Sequence, residues 1–121
     1  MREIDIQNAI RKGVSDYATV FRTNAGSFWQ GKVVYSKEFK QNVLINLRKI
    51  EGLPDGYSDL SGVRISDGKA VFIECKTKKG IVSDVQKNFI KRMSEIGAVA
   101  GVCRSVEDAL RLIGVDSNET H

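Results

Sequence analysis

Apolar and polar positions alternate most cleanly in the middle of the chain. "GYSDLSGVRI" and "KAVFIECKT" flank Ser66-Asp67-Gly68, and that turn chemistry predicts a β-hairpin. Near the start, Ile4, Ala9, Ile10 and Val14 recur at helical spacing with Glu3, Gln7 and Arg11 on another side, which predicts a helix running toward Gly13. "ATVFRT" (18–23) reads as a short strand, and "NAGSFWQGK" as a glycine-punctuated loop. The stretch from Val33 to Ile50 fits two patterns. Phe39, Val43, Leu44, Leu47 and Ile50 suit a helix, whereas Val43, Ile45 and Leu47 suit a strand, the reading preferred here. "SDVQKNFIKRMSEIG" predicts a helix with Ser83 as N-cap and Gly97 as its stop. "AVAGVCRS" is a buried strand, and a last helix from about Val106 to Ile113 carries Ala109, Leu110 and Ile113 on one face. The tail from about residue 115 to 121 is expected to be disordered. The predicted order is helix, strand, hairpin, helix, strand, helix, an α/β (α+β) mixed sheet with helices packed on it.

Composition narrows the class. The 121 residues suit one domain, taken as 1–121, and 41% hydrophobic with 28% charged residues is the balance of a soluble globular protein. The longest apolar run falls far short of the roughly 20 residues a membrane helix needs, so no membrane partner is expected. Arg2, Glu3 and Asp5 interrupt any apolar stretch at the start, so no secretory signal is expected there. Cys75 and Cys103 lack CxxC spacing and read as reduced thiols of a cytosolic protein. A net charge of +4 permits a polyanionic partner without demanding one.

The chemistry concentrates where the most apolar strand ends in charge. In "VFIECKT", Val71, Ile73, Cys75 and Thr77 face one way, and Phe72, Glu74, Lys76 and Lys78 the other. Glu74 and Lys76 thus share a face about 7 Å apart by the strand repeat. If the hairpin closes at Asp67-Gly68, Asp59 comes to the level of Glu74 or Lys76. Two carboxylates and an ammonium then converge at a sheet end. Two carboxylates supply oxygen ligands for Mg²⁺, and a lysine beside them can position a water or stabilise charge developing on phosphorus. A strand-end salt bridge is the plain alternative for E-x-K alone.

Four blocks in order carry more than E-x-K. "GYSDLSG", "FIECKTKKG", "SDVQKNFI" and "GAVAGVCRSVEDAL", with "EIDIQNAI" and "FRTNAGSFW" before them, resemble the PD-(D/E)xK nuclease superfamily. More narrowly, the chain is similar to stand-alone virus-type replication-repair nuclease (VRR-NUC) domains. Asp59 stands fifteen residues before Glu74, and Gln86 twelve after it. The resemblance implies a PD-(D/E)xK core in α-β-β-β-α-β order. It implies Asp59 and Glu74 as ligands of Mg²⁺ or Mn²⁺ with the Cys75 backbone carbonyl helping, Lys76 as catalytic lysine, Gln86 as support for the lysine or the attacking water, and Glu3 as an additional acid.

Rival roles stand beside these. Gln86 completes S-x-x-Q from Ser83, a capping box. Glu3 also suits the first turn of a helix as an acid on its dipole. Asp55, in "LPDG", offers a second candidate acid, but it lies in a Pro-Gly turn, and Asp59 is preferred as lying within the strand. The Cys75 thiol faces the core, and His121 is terminal. Arg22, Asn24, Lys32, Lys78 and Lys79 are candidate contacts to a DNA backbone. Phe28, Trp29, Val33, Val34 and Tyr35 suit either the monomer's own core or a dimer interface.

The resemblance makes the expected function metal-dependent DNA endonuclease activity leaving 5′-phosphate and 3′-hydroxyl ends. It further implies a homodimer acting on branched DNA such as four-way junctions, in the cytoplasm of a bacterial or phage-infected cell. The length leaves no room for a separate recognition domain, which favours structure-guided cutting. A restriction-type enzyme and a non-catalytic nucleic-acid-binding module are the alternatives.

Overall fold

The structure is a computed structural model that describes residues 1–23 and 27–115. Within them the chain runs α1 (Glu3–Gly13), β1 (Ala18–Arg22), β2 (Ser27–Ser36), β3 (Gln41–Glu51), β4 (Leu60–Arg64), β5 (Ala70–Cys75), α2 (Asp84–Ile96), β6 (Val99–Cys103) and α3 (Val106–Ile113). Asn24, one of the candidate DNA contacts, His121 and the tail beyond Val115 lie outside the described residues.

The central hairpin forms where the turn chemistry puts it. Gly68 sits at φ +72°, a conformation glycine adopts without a steric cost. Asp67 accepts from the Lys69 N–H at 3.1 Å and pairs with Arg64 at 2.7 Å, bracing the turn from outside. The resulting register sets Leu60 opposite Ile73 and Gly62 opposite Val71. β1 adds to the far side of β4, antiparallel, and β6 adds to β5, parallel, with α2 as the crossover a parallel pair requires. The four-stranded sheet is therefore mixed, in the order β1-β4-β5-β6.

Helices cover both faces of this sheet. Ile6, Ile10 and Val14 form an i, i+4, i+8 stripe that packs with Ala109 and Ile113 of α3 onto Val71, Ile73, Cys75 and Cys103. Each such aliphatic side chain contributes about 1.5–3 kcal/mol when fully buried. The stripe includes Ile6, whereas Ala9 is exposed and Ile4 only half-buried, which corrects the helical face expected from sequence. On the other face Phe72 meets Phe89 of α2 edge-on at 5.4 Å, and Tyr57 closes against both rings. Ser83 and Gly97 cap α2 as expected, with Gly97 at φ +109°.

The α-β-β-β-α-β order holds for the core elements, with one addition. In chain order between β1 and β4, β2 and β3 form a separate antiparallel sheet. The strand reading of 33–50 is right, but the expected loop at "NAGSFWQGK" is in part a strand. Gly31 lies at a register shift, where an added Cβ would stand 2.7 Å from the Ile45 carbonyl oxygen. That glycine admits a bulge rather than ending the strand, and Asn46 at φ +54° takes up the bend opposite. Trp29, Val33, Tyr35, Leu44 and Leu47 remain exposed on this hairpin.

Candidate active site

Strand geometry forces Glu74 inward. Val71, Ile73 and Cys75 claim the α1/α3 face, so Glu74 points to the α2 face beside Phe72, where only 1% of it is exposed. Asp59 lies one residue before β4 rather than within it, yet it continues the ladder. Its carbonyl accepts from the Thr23 N–H at 2.9 Å, and the Leu60–Ile73 register puts it level with Glu74. Its Oδ2 accepts from the Cys75 N–H at 2.9 Å, which orients the carboxylate. Glu3 reaches in from the first turn of α1. Carboxylate oxygens of Glu3, Asp59 and Glu74 all lie within 4.8 Å of one another.

Three acids this close repel, and the consequence falls on the most buried. Burial pushes the Glu74 carboxyl up to about 8, with the charge of Asp59 adding to it and Lys76 opposing. The Lys76 ammonium lies 3.7 Å from Glu74 Oε1 with its side chain 13% exposed. Gln86 Nε2 donates to the same oxygen at 2.8 Å. Glu74 Oε2 is buried and has no hydrogen-bond partner. A buried acceptor left in that state costs about 1–3 kcal/mol or more, so the pocket suits a ligand that accepts its lone pairs. A hard divalent cation with oxygen ligands fits this donor set.

The Gln86 amide has two ends: its Nε2 goes to Glu74 rather than to Lys76, and its other end serves the helix. Its Oε1 accepts from the Ser83 N–H at 3.0 Å while Ser83 Oγ accepts from the Gln86 N–H at 3.2 Å, so the capping box is made as well.

The description "VRR-NUC domain" matches residues 4–107. The chain belongs to the VRR-NUC family. VRR-NUC domains have the PD-(D/E)xK fold, and membership implies nuclease activity on DNA. Nucleases of this fold usually use divalent metals, which agrees with the acidic triad. No curated protein matches the chain. The VRR-NUC match begins after Glu3, and the folded geometry sets Glu3, the additional acid expected from the resemblance, beside the other two acids.

The other candidates distribute unevenly around the VRR-NUC core. Arg22 is exposed at the end of β1, beside the Thr23–Asp59 link. Lys78 and Lys79 are exposed in a turn after β5; the strand ends at Cys75, so Lys78 does not extend the Glu74 face as alternation suggested. Lys32 is exposed on β2, outside the four-stranded sheet. Asp55 stays in its exposed turn. Both thiols are buried; burial pushes Cys103 up to about 12 and Cys75 further, which suits packing rather than reactivity. Arg104 escaped the sequence reading. It follows β6 and binds the turn after Lys76, and a cation directly after the strand parallel to the E-x-K strand was the available signal.

Proposed function

We propose that this chain is a metal-dependent DNA endonuclease, structure-selective for branched duplexes such as four-way junctions, and that it works as a homodimer. The observation that carries the reading is the buried, partnerless Glu74 Oε2 inside a triad of carboxylates with a lysine alongside. Asp59, Glu74 and Glu3, with the Cys75 backbone carbonyl, would hold Mg²⁺ or Mn²⁺. A cation bound there supplies positive charge that polarises phosphoryl oxygens and acidifies water.

The chain's own residues do the rest. Gln86 fixes Glu74 in one orientation, and the Cys75 N–H fixes Asp59. Lys76 offers its ammonium to the attacking water or to charge developing on phosphorus, an effect that grows in a site sheltered from solvent. Water oxygen bonds to phosphorus and gives up one proton, the P–O3′ bond breaks, and the 3′ oxygen takes up one proton, giving 5′-phosphate and 3′-hydroxyl ends. Arg22, Lys32, Lys78 and Lys79 would neutralise the strand's phosphates, and Asn24 would hydrogen-bond to the backbone.

The homodimer is supported by the β2–β3 hairpin. A two-stranded sheet alone is marginal in water, and these strands pack chiefly on one another. The exposed Trp29, Val33, Tyr35, Leu44 and Leu47 suit a second copy of the same face. Incubation with four-way, flap, single-stranded and linear duplex DNA, with Mg²⁺, Mn²⁺ or EDTA, tests the whole reading. Preferred cutting of the four-way junction, abolished by EDTA, is expected. Cutting of linear duplex at one fixed sequence would replace structure selectivity with sequence reading, and binding without cutting would overturn the enzyme.

A further inference from the structure

A lysine that must hold one direction inside a site faces an entropic difficulty. Its four-carbon stem carries about 2 kcal/mol of rotamer freedom, and an ammonium is a point charge without geometric preference. Lys76 begins where β5 ends, so the strand ladder does not constrain its side chain. Its N–H donates to the Cys103 carbonyl at 3.1 Å, which fixes only its backbone.

The segment that follows supplies a wall. Residues 77–80 turn back, closed by the Gly80 N–H donating to the Thr77 carbonyl at 3.1 Å. A Cβ at Gly80 would stand 3.3 Å from both Cβ and Cδ of Lys76. The bare face of this glycine therefore lies against the lysine stem. The turn is itself held from one point. Arg104 Nη1 donates to the carbonyls of Thr77 at 2.5 Å, Gly80 at 2.8 Å and Lys78 at 3.3 Å. The backbone of Arg104 is tied in turn, its N–H donating to Asp108 Oδ2 at 2.9 Å.

We infer that Arg104 is a positioning residue for Lys76. By holding the 77–80 turn it keeps Gly80 against the lysine stem and aims the ammonium at Glu74. The assignment rests on the reading of Lys76 as the catalytic lysine. One of the two terminal guanidinium nitrogens, Nη1, is thereby engaged with carbonyls of the chain itself.

The test compares wild type, Arg104→Ala, Arg104→Lys, Gly80→Ala and Lys76→Ala. Two quantities are measured for each folded protein. One is the rate of reductive methylation at Lys76, read by mass spectrometry, and the other is single-turnover cleavage of the DNA that wild type cuts. Arg104→Ala is expected to methylate Lys76 faster, and Gly80→Ala, whose added Cβ meets the stem at 3.3 Å and displaces it, to change that rate. They should also cleave about 10- to 100-fold more slowly at unchanged DNA affinity, the scale of a misplaced catalytic group. Arg104→Lys should recover part of both. If Arg104→Ala does not fold, Gly80→Ala and Arg104→Lys decide the matter by the same two readouts. Unchanged Lys76 methylation in the folded variants overturns the positioning role, and so does weaker DNA binding with Lys76 still protected. Lys76→Ala at wild-type cleavage would instead remove the reading of the site, while the methylation result still judges whether Arg104 orders the lysine.

Discussion

Gln86 donates from Nε2 to Glu74 Oε1 at 2.8 Å while its own Oε1 accepts from the Ser83 N–H at 3.0 Å. One side chain thus ties the start of α2 to the most buried acid among the described residues. Gln86→Glu separates the two duties, because glutamate keeps the capping acceptor and loses the donor to Glu74. Helix content by circular dichroism should stay at wild type while cleavage falls by about tenfold or more, equivalent to roughly 1.4 kcal/mol. Wild-type cleavage in this variant would leave Gln86 serving only its helix.

Lys76→Ala should abolish cleavage with fold and DNA binding largely retained. Loss of one stabilising donor at developing charge costs about 10²-fold or more in rate. Gel-based cleavage at saturating protein checks it, and a rate equal to wild type rejects the assignment.

Asp59→Asn should weaken cation binding and stop cleavage, and Asp55→Asn should do little. Asp59 stands level with Glu74 and within the triad, whereas Asp55 sits in an exposed turn. An Asn can still accept from the Cys75 N–H, so the fold should survive. A dead Asp55→Asn beside an active Asp59→Asn would mean that the wrong acid has been chosen.

Stability without cations should fall with rising pH. The Glu74 carboxyl is raised from 4.5 to about 8 in the fold, so above 4.5 the unfolded chain gives up a proton that the native state keeps. The native state then binds more protons, the slope of stability against pH is negative, and the loss levels off above about 8. A cation competes with that proton, so stabilisation by Mn²⁺ or Mg²⁺ should be larger at pH 8 than at pH 5. Melting curves in EDTA and in Mn²⁺ test both statements, and Glu74→Gln should flatten both dependences. A cation effect that survives Glu74→Gln would place the cation elsewhere.

Light scattering at micromolar concentration should give twice the monomer mass, and Trp29→Ala should shift it toward monomer. Full junction cleavage by a monomer would eliminate the paired sites. A dimer indifferent to Trp29→Ala would take this hairpin face out of the interface.

What the sequence determined by itself was local and periodic. Ser66-Asp67-Gly68 specified a turn, the alternation in "VFIECKT" set Glu74 apart from the core positions Ile73 and Cys75, and Ser83 and Gly97 marked the ends of α2. Each depends on a few neighbouring residues, so each was legible. Gly31 misled because a glycine can end a strand or bulge one, and only the Ile45 carbonyl opposite decides which. Glu3 was named beforehand only through family resemblance; its approach to two acids more than fifty residues away, like the place of Arg104 over the turn that walls Lys76, was set by the tertiary structure. Those contacts join segments with no periodic relation to one another. They exist only because the sheet, once paired, fixes where each helix and turn must end.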